Sequence, residues 1–144
     1  MAGGAAAIAA AADAWVLEPR WIDVVRSDIA IKGLGSGWHG ATIALLSDTH
    51  CGPFVSQARI EHAVSLANEL RPDLVLLLGD YVHRGERHID PGIEPFGRLR
   101  ASQGVYAVLG NHDHWDGRDR TLAALKRAGI PAMVNRGTTL VRGG

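Results

Sequence analysis

From residue 41 onward, apolar and polar positions follow a coarse rhythm of short apolar runs and amphipathic stretches. Residues 41–46 (ATIALL) form an apolar run ending at Ser47-Asp48-Thr49-His50. A run this short, without polar alternation, reads as a buried strand. Ser56 stands where it can cap a helix. Ile60, Ala63, Val64, Ala67 and Leu70 then recur at helical spacing and mark one apolar face. Arg71-Pro72-Asp73 stops that helix, and residues 74–78 (LVLLL) make a second strand ending in Gly79-Asp80. A loop containing Pro91 and Pro95 leads to a short helix expected near residues 96–102. Residues 105–109 (VYAVL) make a third strand, followed by Gly110-Asn111-His112-Asp113. Asp116 is expected to cap a helix reaching about Ala128, which Gly129 and Pro131 end. Residues 133–134 and 138–141, split by Asn135-Arg136-Gly137, read as a hairpin that is cut short.

Upstream the pattern is weaker. Residues 22–31 alternate loosely and are expected to form a strand, and the Gly-rich stretch 32–40 a turn. Residues 1–12 (MAGGAAAIAAAA) are apolar and uncharged. They fall short of the roughly 20 residues of a membrane span, and no positive region precedes them as in an export signal. The expected organisation is an Ala-rich extension over residues 1–20 and one domain over 21–144.

Apolar strands alternating with amphipathic helices imply an α/β fold of βαβ units with a mostly parallel sheet. In such a sheet the strand exits lie on one edge, where ligands gather. Asp48 and Asp80 are 32 residues apart, and Asp80 and Asn111 are 31 apart. About 30 residues is one βαβ unit. The spacing therefore predicts that Asp48, His50, Asp80, Asn111 and His112 converge.

Charge adds an exclusion. Fifteen basic residues balance fifteen acidic ones, so no net field draws the chain to nucleic acid. The single cysteine, Cys51, cannot form an internal disulfide. Carboxylates crowded at one sheet edge repel and lose hydration, a cost that a divalent cation offsets. Mixed carboxylate, imidazole and amide donors suit Mn, Fe or Zn better than Ca. A strand-end aspartate can also simply cap a helix, and an Asn-His-Asp run can form a turn. Three such clusters in register make that reading the weaker one.

Ser47-Asp48-Thr49-His50, Gly79-Asp80-Tyr81 and Gly110-Asn111-His112-Asp113 resemble the first three motifs of the calcineurin-like metallophosphoesterases, in order and each after an apolar strand. Arg71-Pro72-Asp73-Leu74-Val75 and residues 104–109 (GVYAVL) match the surroundings of those motifs in bacterial, often membrane-associated or exported, members. The resemblance covers roughly residues 20–142. It implies the βαβαβ half of that family's sandwich fold and two divalent metal ions. The activity it implies is hydrolysis of a phosphomono- or phosphodiester by a hydroxide that the metals activate. The substrate would be a small-molecule or lipid-linked phosphoester. Asp48 and His50 would hold the first metal, Asp80 would bridge, and Asn111 would bind the second. His112 would face the phosphate without ligating a metal, and Asp113 would orient its ring.

Other residues carry less. Cys51 follows His50 as in thiol phosphatases, but their arginine would fall at Gln57, so Cys51 is expected to be a small loop residue. Arg84 resembles the phosphate-contacting arginine of the protein phosphatases, although His83 stands where those enzymes have Asp. His39, His62 and His88 are expected on the surface, and His114 and Trp115 either at the cleft or packed in the loop. The family's later Gly-His-x-His motif does not occur, so the expectation is an N-terminal portion truncated at its C-terminus. A non-catalytic metal- or phosphate-binding fragment is the alternative. The chain as written would be cytoplasmic, or membrane-associated or exported through a missing N-terminal segment.

Overall fold

The structure is a computed structural model describing residues 21–142. Residues 1–30 and 31–144 form two separate units. Within the first, the described residues 21–30 form no helix or strand, against the expected strand over 22–31. The polar group Arg26-Ser27-Asp28 interrupts the alternation there, and Val25 and Ile29 are exposed. The Ala-rich stretch 1–20 lies outside the described residues.

The second unit holds the expected parallel sheet. Strands β1 (Ile43–Leu46), β2 (Leu74–Leu77) and β3 (Val105–Ala107) pair in the order β1-β2-β3, all parallel. Helix α1 (Gln57–Glu69) joins the first two strands. Ser56 caps it, its side chain accepting the Arg59 N–H, and Ile60, Val64 and Ala67 are its buried face. These residues share one core with Ala44, Val75, Leu77 and Ala107 of the sheet and with Ile89, Ile93, Phe96 and Leu125. Fully burying one such aliphatic side chain is worth about 1.5–3 kcal/mol. The other sheet face stays open: Ile43, Leu45, Leu78 and Val108 are exposed.

Three boundaries differ from the sequence reading. The short helix between β2 and β3 comes earlier, as α2 (Ile89–Ile93) followed by a 3-10 turn over Glu94–Arg98. Pro91 and Pro95 sit in the first turns of these segments, where a missing N–H costs nothing. The last helix, α3, runs Asn111–Arg127 from the N-cap Gly110, with a break at Gly117 (φ 148°). Asp116 lies inside α3 and is not its cap. Among the described residues no hairpin forms after α3. Instead Met133 N–H donates to Ala107 O at 2.7 Å and Ala107 N–H to Pro131 O at 3.0 Å, a parallel bridge on the free edge of β3. After the Gly129–Pro131 turn the chain runs parallel to β3.

Candidate metal centre

The site is built by backbone hydrogen bonds that continue past the strand ends. After β1 and β2 stop, Asp48 N–H donates to Gly79 O (3.1 Å), His50 N–H to Asp80 O (3.0 Å) and Cys51 N–H to Tyr81 O (2.8 Å). His83 N–H then donates to Cys51 O (2.9 Å). The two loops are thus held side by side. Asp48, His50 and Asp80 take positive φ values of 54°, 42° and 55°. Left-handed backbone costs roughly 1–2 kcal/mol per residue, least for Asp, Asn and His. It persists where surrounding bonds over-determine the turn, as here.

The loop after β3 closes against this pair. A Cβ at Gly110 would lie 2.0 Å from Asp80 Oδ1, and one at Gly79 would lie 2.2 Å from Gly110 N. Only glycine at both positions permits the approach. Asp113, fully buried, fixes it: Oδ2 accepts the N–H groups of Asp80 (2.8 Å) and Gly110 (2.9 Å), and Oδ1 accepts that of Tyr81 (2.9 Å). The Tyr81 hydroxyl lies between the carbonyls of Val108 (2.6 Å) and Leu77 (3.0 Å). Burial raises the Tyr81 pKa, and the Asp113 charge adds to it. Burial also raises the Asp113 pKa above the usual carboxylate value, against three backbone N–H donors that lower it.

These contacts give Asp113 a role different from the expected one. Both of its oxygens are occupied by backbone N–H groups, and among the described residues no hydrogen bond joins it to the His112 ring. The ring faces His83 instead, with the two Nδ1 atoms 3.3 Å apart.

The candidate ligands converge on this floor. His50 Nε2 lies 3.6 Å from Asp48 Oδ1 and 3.9 Å from Asp80 Oδ2. Asp80 Oδ1 accepts the His112 N–H at 2.9 Å, so this carboxylate sits on the N-terminal turn of α3. Asp48, His50 and Asp80 offer one donor atom each within 4.8 Å of one another. Asn111 opens α3 between Gly110 and His112, the two residues that meet Asp80. Two carboxylates and an imidazole nitrogen this close fit a divalent cation of the Mn, Fe or Zn type. The buried Nδ1 of His50, which has no hydrogen-bond partner, shows further that the protein alone leaves the centre incompletely satisfied.

Around this centre the other singled-out residues fall into place. Cys51 is buried, and burial raises its thiol pKa, which disfavours the thiolate. Arg84 stacks on Phe54, 5.6 Å from the ring centroid, and Asp116 accepts the N–H groups of Arg84 (3.2 Å) and Gly85 (2.8 Å). Trp115 is exposed and packs its ring 5.1 Å from that of His112. His39 and His62 are exposed and His88 is half-buried. A cavity of about 550 Å³ lined by Phe96, Leu99, Tyr106 and Ile130 touches none of the site residues.

His83, which the sequence reading names only as a departure from the protein-phosphatase pattern, is given no ligand role there. With His50 and His112 it forms a second group whose ring nitrogens lie within 4.8 Å of one another. Desolvation lowers its pKa, and Arg84, His112 and His50 lower it further.

A parallel sheet with carboxylate and imidazole groups gathered at its strand exits is an α/β fold with side chains that could hold a metal ion. The chain belongs to the calcineurin-like phosphoesterase family, whose pattern matches residues 41–140. It is 32% identical over 118 residues to a transmembrane protein with metallophosphoesterase domain from Danio rerio, covering 81% of this chain and 26% of that protein. It is 30% identical over 128 residues to the phosphodiesterase YaeI of Escherichia coli, covering 85% of this chain and 46% of the relative. An uncharacterized metallophosphoesterase of Aquifex aeolicus is 31% identical over 117 residues, covering 81% of this chain and 44% of that one. The chain thus spans less than half the length of each of these relatives. No solved structure matches it significantly. Among the described residues, no helix is long and apolar enough to cross a membrane.

Proposed function

We propose that this chain carries the first half of the metal centre of a phosphoester hydrolase, acting on a small-molecule or lipid-linked phosphomono- or phosphodiester. The E. coli relative's name favours the diester, and the zebrafish relative's name favours work beside a membrane. Asp48, His50 and Asp80 would hold the first cation, and Asp80 and Asn111 would contribute to holding a second. When bound, the cations supply Lewis acidity, which polarises phosphoryl oxygen and makes water nucleophilic near neutral pH. The remaining work falls to the chain itself. His112, whose ring lies beside that of His50, would deliver a proton to the leaving oxygen. Asp113 and the glycines at 79 and 110 keep the three loops from parting.

The observation that carries this reading is the placement of His50 Nε2 between Asp48 and Asp80. Manganese titration monitored by calorimetry and thermal melting tests it. Wild type should bind, and at 100 times the dissociation constant should gain about 2.7 kcal/mol of stability. Asp80→Asn should weaken binding most, since it removes the least exposed and most central charge. In parallel, hydrolysis of bis(p-nitrophenyl) phosphate with Mn²⁺ should be lost in Asp80→Asn. Unchanged Mn²⁺ affinity in that variant would remove the basis of the proposal.

A further inference from the structure

The three imidazoles of His50, His83 and His112 come from three different loops, which hydrogen bonds tie to one another. The His50 N–H is bonded to Asp80 O at 3.0 Å, the His83 N–H to Cys51 O at 2.9 Å, and the His112 N–H to Asp80 Oδ1 at 2.9 Å. Their rings are half-buried and mutually close, with centroids 4.7 Å (His50–His112), 5.0 Å (His83–His112) and 5.7 Å (His50–His83) apart. Each offers a nitrogen within 4.8 Å of the other two. Two imidazole nitrogens on one tetrahedral zinc, at about 2.05 Å each, are separated by about 3.3 Å. The Nδ1 atoms of His83 and His112 already stand 3.3 Å apart. His50 completes the group from the third loop, with a ring nitrogen within 4.8 Å of one on each of the other two. One of its nitrogens, Nδ1, is buried with no partner.

We propose that His50, His83 and His112 form a second, all-imidazole cation site that takes a borderline-soft divalent ion such as Zn²⁺. The Asp48–His50–Asp80 group, with two hard carboxylate donors, takes Mn²⁺ more readily than the all-imidazole group does. Imidazole donors favour Zn, Cu and Ni, whereas carboxylate and water suit Mn and Mg, so one patch of surface holds two donor sets of different softness. The two sets share His50 and differ in everything else. Asp48 and Asp80 belong to one, and His83 and His112 to the other. Zinc captured by the imidazoles also withdraws the His112 ring from the phosphate. The proposal does not need the hydrolase reading to be correct.

The test is a double dissociation on the chelator-stripped 144-residue chain, with Zn²⁺ and Mn²⁺ titrated separately into wild type, His83→Gln and Asp48→Asn. Circular dichroism checks that each variant is folded. His83→Gln should lower Zn²⁺ affinity by more than about tenfold, the lower end of what even an outer-shell partner contributes to a metal site. It should leave Mn²⁺ affinity unchanged. Asp48→Asn should do the reverse. Histidine side-chain ¹⁵N spectra of the wild type should show the ring nitrogens of His83 and His112 shifting on Zn²⁺ addition, a readout that does not depend on any variant. Equal Zn²⁺ affinity in wild type and His83→Gln would overturn the proposal. So would loss of Zn²⁺ in Asp48→Asn equal to that in His83→Gln, or silent His83 and His112 resonances. An Asp48→Asn variant with unaltered Mn²⁺ binding would instead count against the carboxylate site alone.

Discussion

The floor of the candidate metal centre and its rim are made of the same residue types and obey different rules. On the floor, Asp113 is fully buried and both its oxygens are taken by backbone N–H groups. On the rim, the Asp48 side chain is 66% exposed, and its other close partners are His50 and the neighbouring Ser47 hydroxyl. One carboxylate holds the fold together and the other is free to hold something else. Buried groups lose far more than exposed ones when a partner is removed. Floor substitutions should therefore register in stability, and rim substitutions in binding.

The largest effect should come from adding one methyl group to the floor. Gly110→Ala places a Cβ 2.0 Å from Asp80 Oδ1 and 2.6 Å from the Asp80 nitrogen, so backbone must move. A loss of about 3–5 kcal/mol is expected, at the upper end for a point substitution. Gly137→Ala meets nothing within 4 Å and should fall within about 0.5 kcal/mol of wild type. Urea denaturation of the two, side by side, measures the contrast. Asp113→Ala should follow closely. It strands three N–H groups, each worth about 1–3 kcal/mol when buried unpaired, and with relaxation a net loss of about 3–4 kcal/mol is expected. If Asp113→Ala melted like wild type, the division between floor and rim would collapse.

The floor and the rim were also unequally legible in the sequence. The strands and their common exit edge could be read from apolar runs one βαβ unit apart. The spacing thus predicts that Asp48, His50, Asp80, Asn111 and His112 converge, and the structure groups Asp48, His50 and Asp80 together and His50 with His112. The partners of Asp113 could not be read in this way. Nothing in the string Asn111-His112-Asp113 shows that a residue at the third position of a helix will reach across to the N–H groups of Asp80 and Tyr81. His83 was given no ligand role for a related reason. It lies three residues beyond Asp80, and only the continued pairing of Cys51 with residues 81–83 carries it back to the site. The start of α3 moved from Asp116 to Gly110 because Asp113 accepts the Gly110 N–H and holds the first turn. That left Asp116 to accept the N–H groups of Arg84 and Gly85.

On the rim, Asp48→Asn should separate binding from folding. Mn²⁺ affinity should fall by more than about tenfold, as a charged ligand is lost. Unfolding free energy without metal should stay within about 0.5 kcal/mol of wild type. It should not fall, because removing one of two neighbouring carboxylates relieves repulsion. Calorimetry and metal-free urea denaturation on the same preparation check both halves. A metal-free loss comparable to that of Asp113→Ala would make Asp48 part of the floor.

The smallest effect is expected at a third carboxylate, Asp90, which tests whether exposure or bonding decides the rule. Asp90 of α2 accepts bonds from Arg120 (2.7 Å) and Arg127, both on α3, so it ties two helices together while remaining 44% exposed. The Arg120 hydrogen bond is the main cause that lowers the Asp90 pKa below the usual carboxylate value, with the Arg120 and Arg127 charges adding to it. A carboxyl whose pKa is lower folded than unfolded stabilises the native state once pH exceeds its unfolded value. That contribution is lost as pH falls through the folded value. The sign for Asp113 is opposite. Its pKa is raised on folding, so its own contribution is fullest below the unfolded carboxylate value and fades as pH climbs toward the folded one. For Asp90, solvent screening of an exposed pair keeps the effect at about 1 kcal/mol or less. Asp90→Asn should therefore cost up to that amount at neutral pH. The difference from wild type should close as pH drops below about 4, where the unfolded carboxyl takes up its proton. Adding 1 M salt should shrink it further, because the Debye length falls to about 3 Å. A loss of several kcal/mol that ignored salt would mean that bonding, and not burial, sets the scale on both floor and rim.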